Sequence, residues 1–193
     1  MAKKLKLMVS STVYDSESDL DQIEAILQGF GYKVIMSKNG TVYVPADMSN
    51  EDACLKAVEE CDLFLGIIFP RYGSGITHKE ILKAIELDKP RWFISHHYVT
   101  FARTLFKQFM YNADKSRNED FHYNSTSVLD KLEVIEMYND AIQNNIPFEQ
   151  RKSNWAHPFF NTSDIFPFLE TQFKDIKRRE KELEEISGGS DEQ

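Results

Sequence analysis

The 193-residue chain predicts an α/β protein: a parallel sheet of four or five strands with helices on both faces, followed by a C-terminal helical extension. Three observations carry this expectation. Short apolar runs rich in β-branched and aromatic residues alternate four times with helix-period segments. The connections between them are short, as right-handed parallel crossovers require. One run, Leu63 to Phe69, is continuously apolar, as in a strand covered on both faces. It opens into a Pro/Gly/Ser-rich loop, Pro70 to Gly75, and then a helix from Thr77, the arrangement that delivers a loop and a helix start to the ligand crevice of an open sheet.

The first strand is Leu5 to Ser10, ending in a Ser-Ser-Thr turn. Asp15 or Ser16 caps a helix carrying Leu20, Ile23, Ile26, Leu27 and Phe30, and Gly31 ends it. Tyr32 to Ser37 is the second strand. Lys38 to Asp47 reads as a loop with a short extended piece at Thr41 to Val44. Ser49 and Asp52 form a cap for a helix running to Glu60, and Asp62 to Phe69 is the third strand. Pro90 to Ser95 supplies the fourth. Beyond His97 the rhythm changes: Val99 to Tyr111 is helical, Asn112 to Asn124 is a polar loop, and Ser125 or Thr126 caps a long helix with Leu129, Leu132, Ile135 and Tyr138. Asn144 to Asn161 is irregular, with an edge strand near Trp155. Asp164 opens a last helix whose end, KDIKRREKELEEI, has the mixed charges of a solvated surface. The chain thus divides into an α/β domain over 1–111, a helical extension packed on it over 112–186, and a disordered tail over 187–193.

A composition of 41% hydrophobic and 12% aromatic residues supports a full core, and a net charge of -8 argues against a nucleic-acid or anionic-membrane binder. The two cysteines, Cys54 and Cys61, lack zinc-ligand spacing and read as structural thiols of a reduced compartment. Neither a signal peptide nor a membrane span is evident, so a soluble, cytoplasmic protein is expected.

Four loops leave the C-terminal strand ends: Ser10 to Asp15, Ser37 to Asn39, Phe69 to Ser74 and Ser95 to Tyr98. In an open parallel sheet they converge on one edge. From them come the candidate binding residues Ser10, Ser11, Thr12, Tyr14, Phe69, Arg71, Tyr72, Gly73, Ser74 and His97. Small hydroxyls, exposed amides, an arginine and aromatics suit a nucleotide or sugar phosphate. No dinucleotide-binding G-x-G-x-x-G and no P-loop is present. Asp15 reads as a cap, Asp62 as lying at the far end of its strand, and the Arg151, Asn154 and Trp155 cluster as packing.

Glu80 lies in the first turn after the loop. With Thr77 it can form a capping box, returning its carboxylate to the helix start. At about 100° per residue it also shares a sector with Ala84 and Leu87, opposite Lys79, Lys83 and Glu86, and so faces the sheet edge. The two roles are compatible.

The segments VSSTVYD, CDLFLGIIFPRYGSGITHKEILKA, VLDKLEVIEMYNDAI and FEQRKSNW resemble domain-of-unknown-function family 4062, over Leu5 to about Arg179. The resemblance implies a flavodoxin-like, TIR-like three-layer sandwich. The middle segment is also similar to the strand-loop-helix of TIR domains and nucleoside deoxyribosyltransferases. There a helix-borne glutamate acts at the ribose C1 of an N-glycosidic bond, and Glu80 matches that position. The resemblance therefore implies a nucleotide-binding hydrolase with NAD as substrate and no metal, cleaving the nicotinamide-ribose bond as a glycohydrolase or ADP-ribosyl cyclase. It further implies a role in bacterial antiviral defence or signalling, and a homo-oligomer or a partner effector protein. A nucleoside N-glycosidase or deoxyribosyltransferase-like enzyme, and a non-catalytic nucleotide-sensing or self-association module, are the alternatives.

Overall fold

Strand β1 (Lys6–Ser11) lies inside a five-stranded, wholly parallel sheet, flanked by β2 (Lys33–Ile35) and β3 (Leu63–Ile68), with β4 (Arg91–His96) and β5 (Ala156–Phe159) beyond, in the order β2-β1-β3-β4-β5. This is a computed structural model, and it describes residues 4–14, 16–114, 116–151 and 155–188. The helices are α1 (Glu17–Gly29), α2 (Asn50–Glu60), α3 (Ile76–Glu86), α4 (His97–Met110), α5 (Glu133–Ala141), α6 (Ile165–Phe173) and α7 (Ile176–Gly188).

Period-2 alternation along the central strands sends side chains to two cores. Leu7, Val9, Leu63, Leu65 and Ile67 meet Leu20, Ile23 and Leu27 of α1 and Leu169 and Phe173 of α6. Met8, Phe64, Ile68 and Phe93 meet Ile81 and Ala84 of α3 and Val134, Ile135 and Met137 of α5. A smaller cluster joins Ile35 and Val42 to Ala53 and Cys54 of α2. The result is the expected three-layer α/β sandwich. The sharpest constraint is Gly66 in mid-β3, opposite Ser10 and Phe93 in the two neighbouring strands.

Several local expectations give way to side-chain bonding. The second strand stops at Ile35, and Ser37–Asn39 is a 3₁₀ turn. Thr41 to Val44 forms no strand; the Thr41 hydroxyl instead ties back to the amide and carbonyl of Met36. Ser16 precedes α1 but donates its hydroxyl to the carbonyls of Thr12 and Val13 rather than capping, and Asp15 lies outside the described residues. Ser49 accepts from the Asp52 amide as expected. α4 starts straight from β4 without a loop, because the His96 ring accepts from the Tyr98 amide.

The long helix from Ser125 is much shorter: Thr126 caps a turn by accepting from the Leu129 amide, and α5 begins only at Glu133. Asp130 accepts from its neighbour Lys131 and from a distant loop, which holds the intervening chain out of the helix. The last helix is two, since Asp175 accepts from the Arg178 amide and starts α7. α7 is not simply solvated: Ile176 and Leu183 pack on the core, and Arg179 lies 4.6 Å over the Trp92 ring. It runs to Gly188, and residues 189–193 of the expected tail lie outside the described residues. Leu87, placed on the inner sector, is exposed because the helix has ended before it. Asp62 accepts from the Lys6 amide at the strand starts, away from the crevice.

A methyl group on Gly66 would stand 2.8 Å from a ring carbon of Phe93 and 3.3 Å from one of Phe64, both rings fully buried. Gly66→Ala is expected to destabilise the fold by about 1–3 kcal/mol, read as a lower urea midpoint with an unchanged slope.

Candidate active site

The C-terminal strand ends bring together the tip of β1, the loop between β3 and α3, and the first turns of α3. Left-handed glycines shape that loop. Gly73 has φ 60°, and a Cβ there would lie 3.0 Å from the Thr12 methyl, so only glycine lets the loop close on the β1 tip. Gly75, at φ 82°, is the N-cap of α3, which starts at Ile76, one residue before the expected Thr77.

That shift decides the fate of Glu80. With Gly75 as cap, no side-chain capping bond forms, and the Thr77–Glu80 box is absent. The Glu80 carboxylate, only 3% exposed, instead accepts the Ser10 hydroxyl across the sheet edge through Oε2. Burial raises its pKa to about 7, against the opposing hydrogen bonds of Ser10 and the Cys54 thiol. Burial, with the Glu80 charge and hydrogen bond added, pushes Cys54 up to about 12, so the thiol is neutral.

The carboxylate opens onto a cleft of about 370 Å³ lined by Ser11, Thr12, Tyr14, Tyr72, Gly73, Ser74 and Thr77, with Ser37, Asn50 and Cys54 across from them. Ser10 is behind Glu80 and does not line the cleft. Phe69 and Arg71 line a second cleft of about 630 Å³, and Tyr14 is common to both. His97 lines neither; it is the exposed first residue of α4, while its neighbour His96 faces the second cleft. Arg151 donates to the carbonyls of Ile146 and Asn144, Trp155 is 64% exposed, and neither reaches the clefts; Asn154 lies outside the described residues. A broader groove of about 1220 Å³ runs along α4 and the end of α5 and shares no lining residue with either cleft.

Three residues that sequence patterns did not single out hold the loop. The Asp130 carboxylate accepts from the Tyr72 amide at 2.8 Å and the Gly73 amide at 3.1 Å. The Tyr72 hydroxyl meets His78 Nδ1 at 3.1 Å, and His78 Nε2 meets Asp140 at 2.8 Å. Burial, reinforced by Glu133 and Glu136, raises the Tyr72 phenol, so it stays protonated. Both ring nitrogens of His78 are thus engaged, one by the Tyr72 hydroxyl and the other by the Asp140 carboxylate. Only His78, two positions before Glu80, lies near enough in sequence to have been noticed. Among the described residues no group of three or more His, Cys, Asp or Glu is placed to hold a metal, and no helix is long and apolar enough to cross a membrane.

Fold and site together define a parallel α/β protein with one buried carboxylate at a strand-end cleft. The family model DUF4062, a domain of unknown function, matches residues 6–152, and the chain belongs to that family. No curated protein matches it. Among solved structures, a 2-desoxiribosyltransferase from Leishmania mexicana is similar, with a TM-score of 0.39 and 14% identity over 71% of this chain and 97% of that one.

A folded-state pKa of about 7, above the ordinary glutamate value of 4.5, means that ionising Glu80 opposes folding. The cost is absent below about pH 4, grows between 4.5 and 7 and is complete above 7. Glu80→Gln is therefore expected to stabilise the protein at pH 8 by on the order of 3 kcal/mol relative to its effect at pH 4, measured by urea denaturation at both pH values.

Proposed function

We propose that the protein cleaves N-glycosidic bonds at ribose C1 with Glu80 as the catalytic carboxylate, and that its substrate is NAD. The observation carrying this is that Glu80 is not spent on capping: it is buried, bonded to Ser10, and still open to a cleft walled by hydroxyls and aromatics. The resemblance of the Cys61–Ala84 segment to TIR domains and nucleoside deoxyribosyltransferases supports the same role.

The nicotinamide nitrogen of NAD is positively charged and leaves neutral, taking the bonding pair of the C1–N bond, so no general acid is needed. One ionised carboxylate suffices. It stabilises the oxocarbenium-like C1 by charge, or bonds to it as the C1–N bond breaks. Water, or a nucleophile within the ADP-ribosyl group, then bonds to C1, gives up its proton and restores the carboxylate. Ser10 steadies the anion without consuming the face that meets the cleft. A nucleoside reading is favoured by one feature, the modest volume of the Glu80 cleft, about 370 Å³. Its neutral base leaves only when protonated, which requires an acid as well as a carboxylate.

Nicotinamide release from NAD is the test, and Glu80→Gln is expected to lower it by at least about 10²-fold; equal release by the variant would overturn the assignment. Because the ionised form is required, kcat/KM is expected to rise about tenfold per pH unit below 7 and to level off above it. Ser10→Ala removes a donor to the anion and is expected to move that midpoint to higher pH. A profile that instead falls again at alkaline pH would point to nucleoside cleavage.

A further inference from the structure

The second cleft shares Tyr14 with the first but is differently built. The β3–α3 loop divides between them, Pro70 and Arg71 facing one and Tyr72 to Ser74 the other. At about 630 Å³ it is the larger of the two, and a ligand confined to the Glu80 cleft would leave it empty. Its walls are aromatic: the His96 ring lies 4.7 Å from Tyr98 and 5.8 Å from Phe160, and Tyr98 and Phe160 are 5.7 Å apart. Burial lowers the His96 pKa, so this ring is neutral at pH 7 and presents an apolar face. Phe160, 51% exposed, leaves ring surface open to a ligand. Polar groups line the rest of it: Arg71, Asp19, Ser127 and the run Asn161 to Ser163. Arg71, braced by the carbonyls of Thr126 and Ser127, carries positive charge, and Asp19 supplies a carboxylate.

A flat aromatic group, a hydroxylated sugar and a bridging anion match those walls, that carboxylate and that guanidinium in turn. Resting on the reading of Glu80 above, we infer that the cleft walled by the packed rings of His96, Tyr98 and Phe160 binds the distal nucleoside of a dinucleotide, with Arg71 on the pyrophosphate and Asp19 on the ribose hydroxyls. Tyr14 lies where the two halves of the substrate join. The proposed substrate thereby gains a second subsite, and Phe160 and Tyr98 become specificity-determining residues.

ADP-ribose carries the adenine, both riboses and the pyrophosphate but has no nicotinamide, so it probes this cleft without turnover. Calorimetric titration is expected to show binding that Phe160→Ala or Tyr98→Ala weakens about tenfold, as loss of a base-stacking ring does. In turnover, the ratio of kcat/KM for NAD to that for nicotinamide mononucleotide, which lacks the distal nucleoside, is expected to fall about tenfold in the same variants. Absence of ADP-ribose binding, or affinities and ratios unmoved by both substitutions, would overturn the inference. Phe160-dependent binding of ADP-ribose by a protein that cleaves no N-glycoside would uphold this cleft and reject the catalytic role of Glu80.

Discussion

A carboxylate nearly withdrawn from water is costly to hold, and much of this structure is arranged around holding one. An isolated charge in an apolar site would simply stay protonated, well above its ordinary range. Two short side chains from different layers favour the Glu80 anion and hold its pKa to about 7: a hydroxyl from the sheet at Ser10 and a thiol from α2 at Cys54. For those groups to meet, β1 and β3 must pair in the register that sets Ser10 beside Gly66, and α3 must leave its loop so that Glu80 turns back over the strand end. Gly66 allows Phe93 to close up beneath that pair, and Gly75 supplies the left-handed turn that starts α3.

The loop over the carboxylate has little means of supporting itself. Its amides at Tyr72 and Gly73 are both satisfied by Asp130. A second attachment runs from Tyr72 through His78 to Asp140. Both acids come from the chain around α5, and α5 itself is anchored in the core by Val134, Ile135 and Met137. Packing of one apolar helix face thus fixes the conformation of a polar loop on another element.

Much of the sheet was legible because its signals are local. The unbroken run from Leu63 to Phe69 could only be a covered strand, and the edge strand near Trp155 appeared as β5, with Pro158 where no central strand would tolerate it. Of the site, Glu80 and the residues Ser11, Thr12, Tyr14, Tyr72, Gly73 and Ser74 could be named from the loops that a parallel sheet must bring together. What stayed hidden was decided by long-range bonds. The letters of Thr77-x-x-Glu80 fit a capping box equally well, and only the left-handed backbone of Gly75 and the reach of Ser10 choose otherwise. Asp130 is 58 residues from Tyr72 in sequence, with no periodicity or motif to link them. The same bond explains why the long helix expected from Ser125 breaks. His97 lines neither cleft for a local reason: His96 uses its ring to start α4 at once, so His97 becomes the exposed first residue of that helix.

The dependence of the loop on Asp130 bears on how small a working piece of this chain can be. A fragment ending after α4 would still contain Glu80 and both groups that bond its carboxylate, Ser10 and Cys54. It would nevertheless lose the acceptor for two neighbouring amides and expose the edge of β4 that β5 now covers. The shortest segment that holds the Glu80 cleft and its loop supports therefore runs from β1 through β5, and that unit is set by hydrogen-bond acceptors and strand pairing contributed late in the chain.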